Sequence, residues 1–486
     1  MWRMSTVCSC TIAFLLAVPR SARGDYPAIY GGPTFGSSGS TGFLANNAVV
    51  GSGFALGDAV SYDSGADQGE RAFRWDSSGS PATELGHLGT DVAGYTRALI
   101  SAVNDAGVAV GVAELHSATF GLQGGRAVRW AALGTVATEL DNLGVDSSGY
   151  TLSTPISINN SGTAAGYATK YDSAVYLGFR AVRWDAGGTA VTELDNLGTD
   201  ADGFTGTYAA AINDSGTIAG IAGKYDSGID LGDRAVRWAA GGTAITELDV
   251  LSTDNAGSAF ANVSAINSSG MVVGNADQYI SGAYKGIRAV RWDPSGTAAT
   301  ELDHLGLNSE SYTSSNAVSV NSAGTAVGYS EKYDATVYRG FRAVRWDALG
   351  TEATELGNLG ANALGVAYNE ATVINDLGIT VGYADEYDPA GNFIADRAVL
   401  WGPDGVPVRL IDLIDPASGW LNLSYATDLS NDNWVAGVGV FDPDGPGGLD
   451  PYDRLFLMQV PEPGMPAWLL MAILPTVWKS GRRSRP

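Results

Sequence analysis

One feature constrains this chain more than any other: a tryptophan that returns every 54 or 55 residues. Trp75, Trp130, Trp184, Trp238, Trp292, Trp346 and Trp401 are separated by 55, 54, 54, 54, 54 and 55 residues. Each ends a segment of the type Arg180-Ala181-Val182-Arg183-Trp184, and an asparagine follows 29 residues later, 30 in the last copy: Asn104, Asn159, Asn213, Asn267, Asn321, Asn375 and Asn431. Partial copies flank the set. Asn46-Asn47-Ala48-Val49-Val50-Gly51 matches the asparagine segment and Arg454-Leu455-Phe456-Leu457 the arginine segment, which makes eight units. A chain of 486 residues without repeats would be expected to split into several domains, whereas this periodicity predicts one array whose units bury their faces against neighbours.

Within one unit the text predicts four short strands. Ala210 to Ile212 and Thr217 to Ala222 flank Asn213-Asp214-Ser215-Gly216, in which Asn and Asp cap the turn and Gly accepts positive φ. A longer loop is expected from Gly223 to Asp233, then a strand to Trp238, a turn at Gly241-Gly242 and a strand from Ala244 to Asp249. Four strands in a unit of this length predict an all-β fold, a β-propeller of eight four-stranded blades. The units run about 42–98, 99–153, 154–207, 208–261, 262–315, 316–369, 370–425 and 426–459. The last lacks its fourth strand, so residues 25–31 are expected to complete it and close the ring. A seven-bladed propeller and a β-solenoid are the alternatives.

Charge and cysteines narrow the function. With 52 acidic against 28 basic residues, a net charge of -24, the chain offers no positive field to a nucleic-acid backbone. Both cysteines, Cys8 and Cys10, precede the repeats, so the repeat region has neither disulfides nor thiol chemistry.

The two ends read as addresses. Arg3, an apolar stretch from Val7 to Val18, and the small residues Ala22 and Gly24 predict a signal peptide over residues 1–24, cut by signal peptidase. At the other end Val460-Pro461-Glu462-Pro463-Gly464 is followed by an apolar run from Met465 to Trp478 and by Lys479, Arg482, Arg483 and Arg485. Over residues 460–486 this order resembles the PEP-CTERM sorting signal of Gram-negative bacteria. The resemblance implies an exosortase-type membrane transpeptidase acting near Pro461, Glu462 and Pro463. The run contains Pro466 and Pro475 and is short for a hydrocarbon core of roughly 30 Å, which suits a transient anchor.

The repeat itself, from about 42 to 458, resembles the HAF family of bacterial extracellular repeats through Arg-Ala-Val-Arg-Trp and the Asn-Asp-Ser-Gly-Thr turn. It departs from that family in having Arg where His is frequent. The match implies fold and location rather than an activity.

Several groups are candidates for chemistry. Pairing across Gly241-Gly242 would set Trp238 opposite Ile245, Val236 opposite Glu247 and Arg234 opposite Asp249. The same offset predicts ion pairs of Arg126 with Asp141, Arg180 with Asp195, Arg288 with Asp303 and Arg397 with Asp412, with Gly86 and Gly357 at the acid position in two copies. Tyr62-Asp63, Tyr171-Asp172, Tyr225-Asp226, Tyr333-Asp334 and Tyr387-Asp388 recur after the second strand, as ligand-binding loops or as turn formers with packed rings. Asp442 and Asp444, with Asp450 and Asp453, are candidate calcium ligands without a full EF-hand loop, and Asp200-Ala201-Asp202-Gly203 is a weaker string. No other cofactor is expected. His87, His116 and His304 have no metal-ligand spacing, and His87 and His304 fall at the repeat position of Asn142 and Asn196, as tolerated surface substitutions.

Six central units are near-copies, whereas catalysis needs residues that occur once. The expectation is therefore a non-enzymatic surface or matrix protein that binds extracellular polysaccharide or protein; the alternative is a propeller glycosidase or lyase.

Overall fold

The computed structural model describes residues 29–31, 48–50, 53–63, 66–77, 82–445, 447–448 and 450–461. The chain divides into two units, Met1–Tyr26 with Gly464–Pro486 and Pro27–Pro463. The first, which holds the expected signal peptide, apolar run and basic tail, lies outside the described residues, as do Glu462 and Pro463. Among the described residues no helix is long and apolar enough to cross a membrane.

The second unit is an eight-bladed β-propeller of four-stranded antiparallel sheets. In blade four the strands are Thr207–Ile212, Ile218–Asp226, Ile229–Trp238 and Ile245–Glu247. The first strand is innermost: Ala48–Val50 of blade one packs against Ala98–Val103 of blade two and against Trp420–Leu429 of blade eight, so the ring closes. Closure excludes the solenoid, and the eighth sheet excludes seven blades. Ile29–Gly31 supplies the fourth strand of blade eight, with Ile29 opposite Met458 and Gly31 opposite Phe456.

Local chemistry explains each turn. In Asn213–Gly216 the Asn213 Oδ1 accepts the Thr217 N–H at 3.0 Å, and Gly216, at φ 85°, takes the left-handed position that closes the turn. The expected loop from Gly223 to Asp233 is instead a hairpin turned by Ser227 and Gly228 alone. Both residues are at positive φ, the geometry whose twist matches the strands. Ser173-Ala174 and Ala335-Thr336 make the same turn without the Asn-Gly chemistry that usually announces it. In blade one the first strand is Ala48–Val50, inside the segment matched to the asparagine turn; Asn46 and Asn47 themselves lie outside the described residues. In blade eight Ser430 occupies the turn position assigned to Asn431, its Oγ accepting the Trp434 N–H at 3.0 Å.

The Arg-Ala-Val-Arg-Trp strand binds blade to blade. The tryptophans from Trp130 to Trp401 are fully buried. Trp238 packs with Ala209, Ile212, Ile218 and Val236 of its own blade and with Ala165 and Leu194 of the preceding one. Its Nε1 donates to Asp195 O at 3.1 Å, and Trp184, Trp292 and Trp346 donate likewise to Asp141, Asp249 and Asp303. Trp130 and Trp401 use the carbonyls of Gly86 and Gly357, because this contact requires only the backbone. The second arginine reaches the next blade, as Arg183 Nη1 does to Gly242 O at 3.1 Å.

The first arginine corrects the expected ion pairs. Arg234 pairs with Glu247 at 3.4 Å, Arg180 with Glu193 at 3.4 Å, Arg288 with Glu301 at 3.2 Å and Arg126 with Glu139 at 3.8 Å. The fourth strand ends at Glu247, after which the chain turns to the next blade and the Asp249 N–H bonds Thr297 O at 2.8 Å. The guanidinium therefore reaches diagonally to the acid opposite Val236. Arg397 pairs with Glu386 at 2.7 Å, and Asp412 with Arg409 at 2.7 Å. Trp238 opposite Ile245 and Val236 opposite Glu247 are as expected.

One buried group opposes the fold. Asp58, 1 % exposed, accepts the Ile100 N–H at 2.7 Å through Oδ1, while Oδ2 is buried without a hydrogen-bond partner. Burial raises its pKa well above the usual carboxylate range, against the lowering effect of the Ile100 bond; Glu70 adds to the rise and Arg97 opposes it. Because the folded pKa lies above the unfolded one, this penalty is absent below about pH 4 and grows as pH rises, so the protein loses stability on going to higher pH. Asp58→Asn keeps an acceptor for Ile100 and is expected to stabilise the protein by about 1–3 kcal/mol at pH 7. The gain should shrink toward pH 4 in thermal melts; an equal gain at both pH values would refute the assignment.

Candidate functional site

The turns between first and second strands converge on the propeller axis. In blades two to seven each begins with a buried Asn that holds its own turn and reaches the next. Asn104 Nδ2 donates to Asn159 O, Asn159 to Asn213, Asn213 to Asn267 and Asn267 to Asn321, at 3.0–3.1 Å; Asn321 donates to Asn375 and Asn375 to Ser430, both at 3.2 Å. These residues served only as repeat landmarks in the sequence. Their strict period was the available signal, but a period does not say which way a side chain points. Asn267→Ala is expected to cost about 1–3 kcal/mol, since it leaves buried turn and inter-blade groups unpaired, as urea midpoints would show.

The next residue in the turns of blades two to eight is exposed: Asp105, Asn160, Asp214, Ser268, Ser322, Asp376 and Asn431. No two acids are neighbours in this series, which limits repulsion between like charges. Asn160 Nδ2 bridges Asp105 Oδ2 at 2.7 Å and Asp214 Oδ2 at 3.1 Å, and Asn431 Nδ2 donates to Asp376 Oδ2 at 3.1 Å. All of them but Asn160 line a cavity of about 790 Å³, whose apolar lining includes Ile266, Val320, Ile374 and Leu429. A polar rim over an apolar wall suits a ligand that presents both kinds of surface.

The second-to-third-strand hairpins form the opposite face. Here Tyr171, Tyr225 and Tyr333 lie in strand ends rather than loops and are half-buried. Tyr171 packs on Tyr176 at 5.7 Å between ring centroids, and Tyr333 on Tyr338 at 5.6 Å. Burial raises the Tyr171 and Tyr225 phenols, and burial followed by Glu331 pushes Tyr333 up to about 12. Asp172, Asp226 and Asp334 are exposed at the tips; Ser173 and Ser227 donate to the first two at 3.2 Å, and Arg339 pairs with Asp334 at 3.1 Å. Each hairpin thus keeps its own Tyr–Asp pair, and the structure does not gather them into one pocket. The side chains of Tyr62 and Asp63 lie outside the described residues.

Asp442 is an Asx cap, its Oδ1 accepting the Gly445 N–H at 2.8 Å, and Asp453 sits opposite Val440 in the adjacent strand. Asp200 likewise caps its turn through Asp202 and Phe204 N–H. Among the described residues no group of three or more His, Cys, Asp or Glu side chains is placed to hold a metal ion. His87 and His304 have a defined role: their Nδ1 atoms accept the Gly89 and Gly306 N–H at 3.1 and 3.2 Å, as Asn142 and Asn196 Oδ1 do for Gly144 and Gly198. Burial lowers the His304 pKa, which keeps that nitrogen an acceptor. Pro461 follows Val460, whose N–H is bonded to Asn433 O at 2.9 Å beside the channel mouth.

One pair breaks the repeat. In blade seven Asp385 stands directly opposite Asp396, which takes the place of Phe179 and Phe341 in blades three and six; blade four holds Asp233 there, but opposite Gly223. Tyr387 Oη donates to Asp385 at 3.1 Å and Tyr425 Oη to Asp396 at 2.9 Å. Burial, with Asp396 adding to it, pushes Asp385 up to about 6.

No protein-family model matches the chain, and no curated protein matches it. Solved structures are similar to it at low identity. A puromycin hydrolase is 12 % identical over 84 % of this chain, with a TM-score of 0.41, and this chain spans 60 % of that protein. The β-propeller domain of the Trilobed protease from Pyrococcus furiosus is 8 % identical over 78 % of this chain and 99 % of that one, with a TM-score of 0.40. A GH74 xyloglucanase from Xanthomonas campestris is 11 % identical over 88 % of this chain and 67 % of that one, with a TM-score of 0.39.

Proposed function

We propose that the chain is a non-enzymatic binding scaffold of the cell surface or extracellular matrix that holds an extracellular polysaccharide or protein. Its N-terminal segment directs export. Its C-terminal apolar run anchors it transiently at the inner membrane, and an exosortase-type transpeptidase acts near Pro461-Glu462-Pro463. The observation that carries the binding role is the channel mouth, where Asn, Asp and Ser groups from the equivalent turns of six blades line one cavity. Equivalent groups around an axis suit recognition, whereas catalysis needs residues in distinct roles. The test is binding of the full chain to its host's own extracellular polysaccharide and proteins, beside Asp214→Ala/Asp376→Ala. Binding weakened in the double variant supports the proposal; no binding to either class of partner overturns it.

The rival enzyme has one observation in its favour, the unrepeated Asp385–Asp396 pair. Hydrolysis of a glycan that Asp396→Asn abolishes would establish it.

A further inference from the structure

We propose that the hairpin face opposite the channel mouth is a multivalent docking surface for an uncharged pyranose polymer; this deepens the polymer-binding proposal and rests on it. Four hairpins carry a fixed pair of rings: Tyr171 with Tyr176, Tyr279 with Tyr284, Tyr333 with Tyr338 and Tyr387 with Phe393, at 5.6–5.8 Å between centroids. The inner ring of each pair is half-buried and supports the outer one. Of the outer rings, Tyr176, Tyr284 and Phe393 are 41, 44 and 54 % exposed. Three of the hairpins turn in two residues, which leaves the rings little freedom to lose on binding. Rings on rigid tips offer apolar faces to the C–H faces of a sugar, and the neighbouring Asp172 and Asp334 offer acceptors to its hydroxyls.

Charge selects the occupant. The chain carries -24, Asp172, Asp226 and Asp334 stand exposed at the tips, and the nearby cations are engaged: Arg339 by Asp334 and the Leu364 carbonyl, Lys285 by Glu310 O at 2.8 Å. An acidic polymer or anionic lipid would be repelled. Inserting Val175, Ile229 and Val337 into any bilayer would drag the adjacent carboxylates with them, and face-to-face stacking of two copies would oppose like charges. Ile29, opposite Met458, and Val460, bonded to Asn433, lie at the other end of blade eight from its hairpin between the second and third strands.

The test uses the full chain with hydroxyethylcellulose, dextran and galactomannan as uncharged probes, alginate as an acidic one, phosphatidylcholine vesicles, and sedimentation for self-association. Tyr176→Ser, Tyr284→Ser and Phe393→Ser are expected to raise the apparent Kd for at least one uncharged polymer several-fold each. The triple variant should lose about 100-fold, because linked sites multiply. A melting temperature within a few degrees of the parent's is the check that it remains folded. Binding to none of the three uncharged polymers, or equal binding by the triple variant and the parent, overturns the docking surface. So does tip-dependent binding to vesicles or to a second copy. The broader scaffold proposal stands or falls separately, on host polymers and proteins and on the channel-mouth variant.

Discussion

Replacing Trp292 by alanine is expected to lower stability by about 3–5 kcal/mol, the range for removing a fully buried large aromatic. The ring lies among Leu248, Val263, Val272, Ala276 and Val290 with no exposed surface, and it joins blade five to blade four. Its Nε1 donates to Asp249 O at 2.9 Å, so truncation also orphans a carbonyl where the chain docks from one blade onto the next. Trp292→Phe should cost less, because most of the volume stays and the indole bond is the main loss, worth about 1 kcal/mol. Urea unfolding of the two variants separates these contributions. A loss below 1 kcal/mol for alanine would mean that the repeated tryptophan is not inter-blade core. Since each blade contacts only its neighbours, the damage should also loosen the adjacent blade, visible as faster amide exchange in blades four and five.

Gly220→Ala is expected to be comparably damaging, at about 3 kcal/mol or more, for the opposite reason of overpacking. A methyl group there would lie 2.0 Å from Tyr208 O and 3.0 Å from the Trp238 ring. The strand-one bulge between Ala209 and Ala211 brings the neighbouring backbone this close, so the two strands must separate to admit any side chain. The same contact recurs at Gly111, Gly166, Gly274, Gly328 and Gly382, with oxygen 1.9–2.0 Å from the added carbon, which makes it a property of the blade rather than of one site. Gly188→Ala is the control, because no atom lies within 4 Å of its added methyl. It should change stability by less than about 1 kcal/mol. Equal melting temperatures for Gly220→Ala and Gly188→Ala would contradict the close approach.

Features that depend on near neighbours in the chain were readable from the residues. The tryptophan period gives the blade, Asn213–Gly216 gives its first turn, and Gly241-Gly242 gives the register of Trp238 with Ile245. Misreadings arose where a local pattern meets another blade. Arg234 was matched to Asp249 by extending the hairpin, but the strand stops at Glu247 and Asp249 turns its backbone to Thr297. The two-residue hairpins at Ser173-Ala174 and Ala335-Thr336 are hidden in the sequence, since Ser, Ala and Thr at positive φ give none of the usual turn signals; at Ser227-Gly228 only Gly228 marks the turn.

The acidic charge, the lack of cysteine within the repeats and the repeated four-stranded unit belong to the sequence alone, because each depends only on which residues are present and how far apart they lie. Closure at eight blades was decided by the tertiary structure. It rests on the packing of Ala55 and Trp75 against Leu455 and Leu457 and on the pairing of Ile29–Gly31 with the last blade, contacts between opposite ends of the chain. The channel mouth is of the same kind. Asp105, Asp214 and Asp376 stand more than a hundred residues apart, and only the rotation from blade to blade, set by how closely small residues such as Ala165, Ala181 and Ala209 let the sheets approach, brings them around one axis.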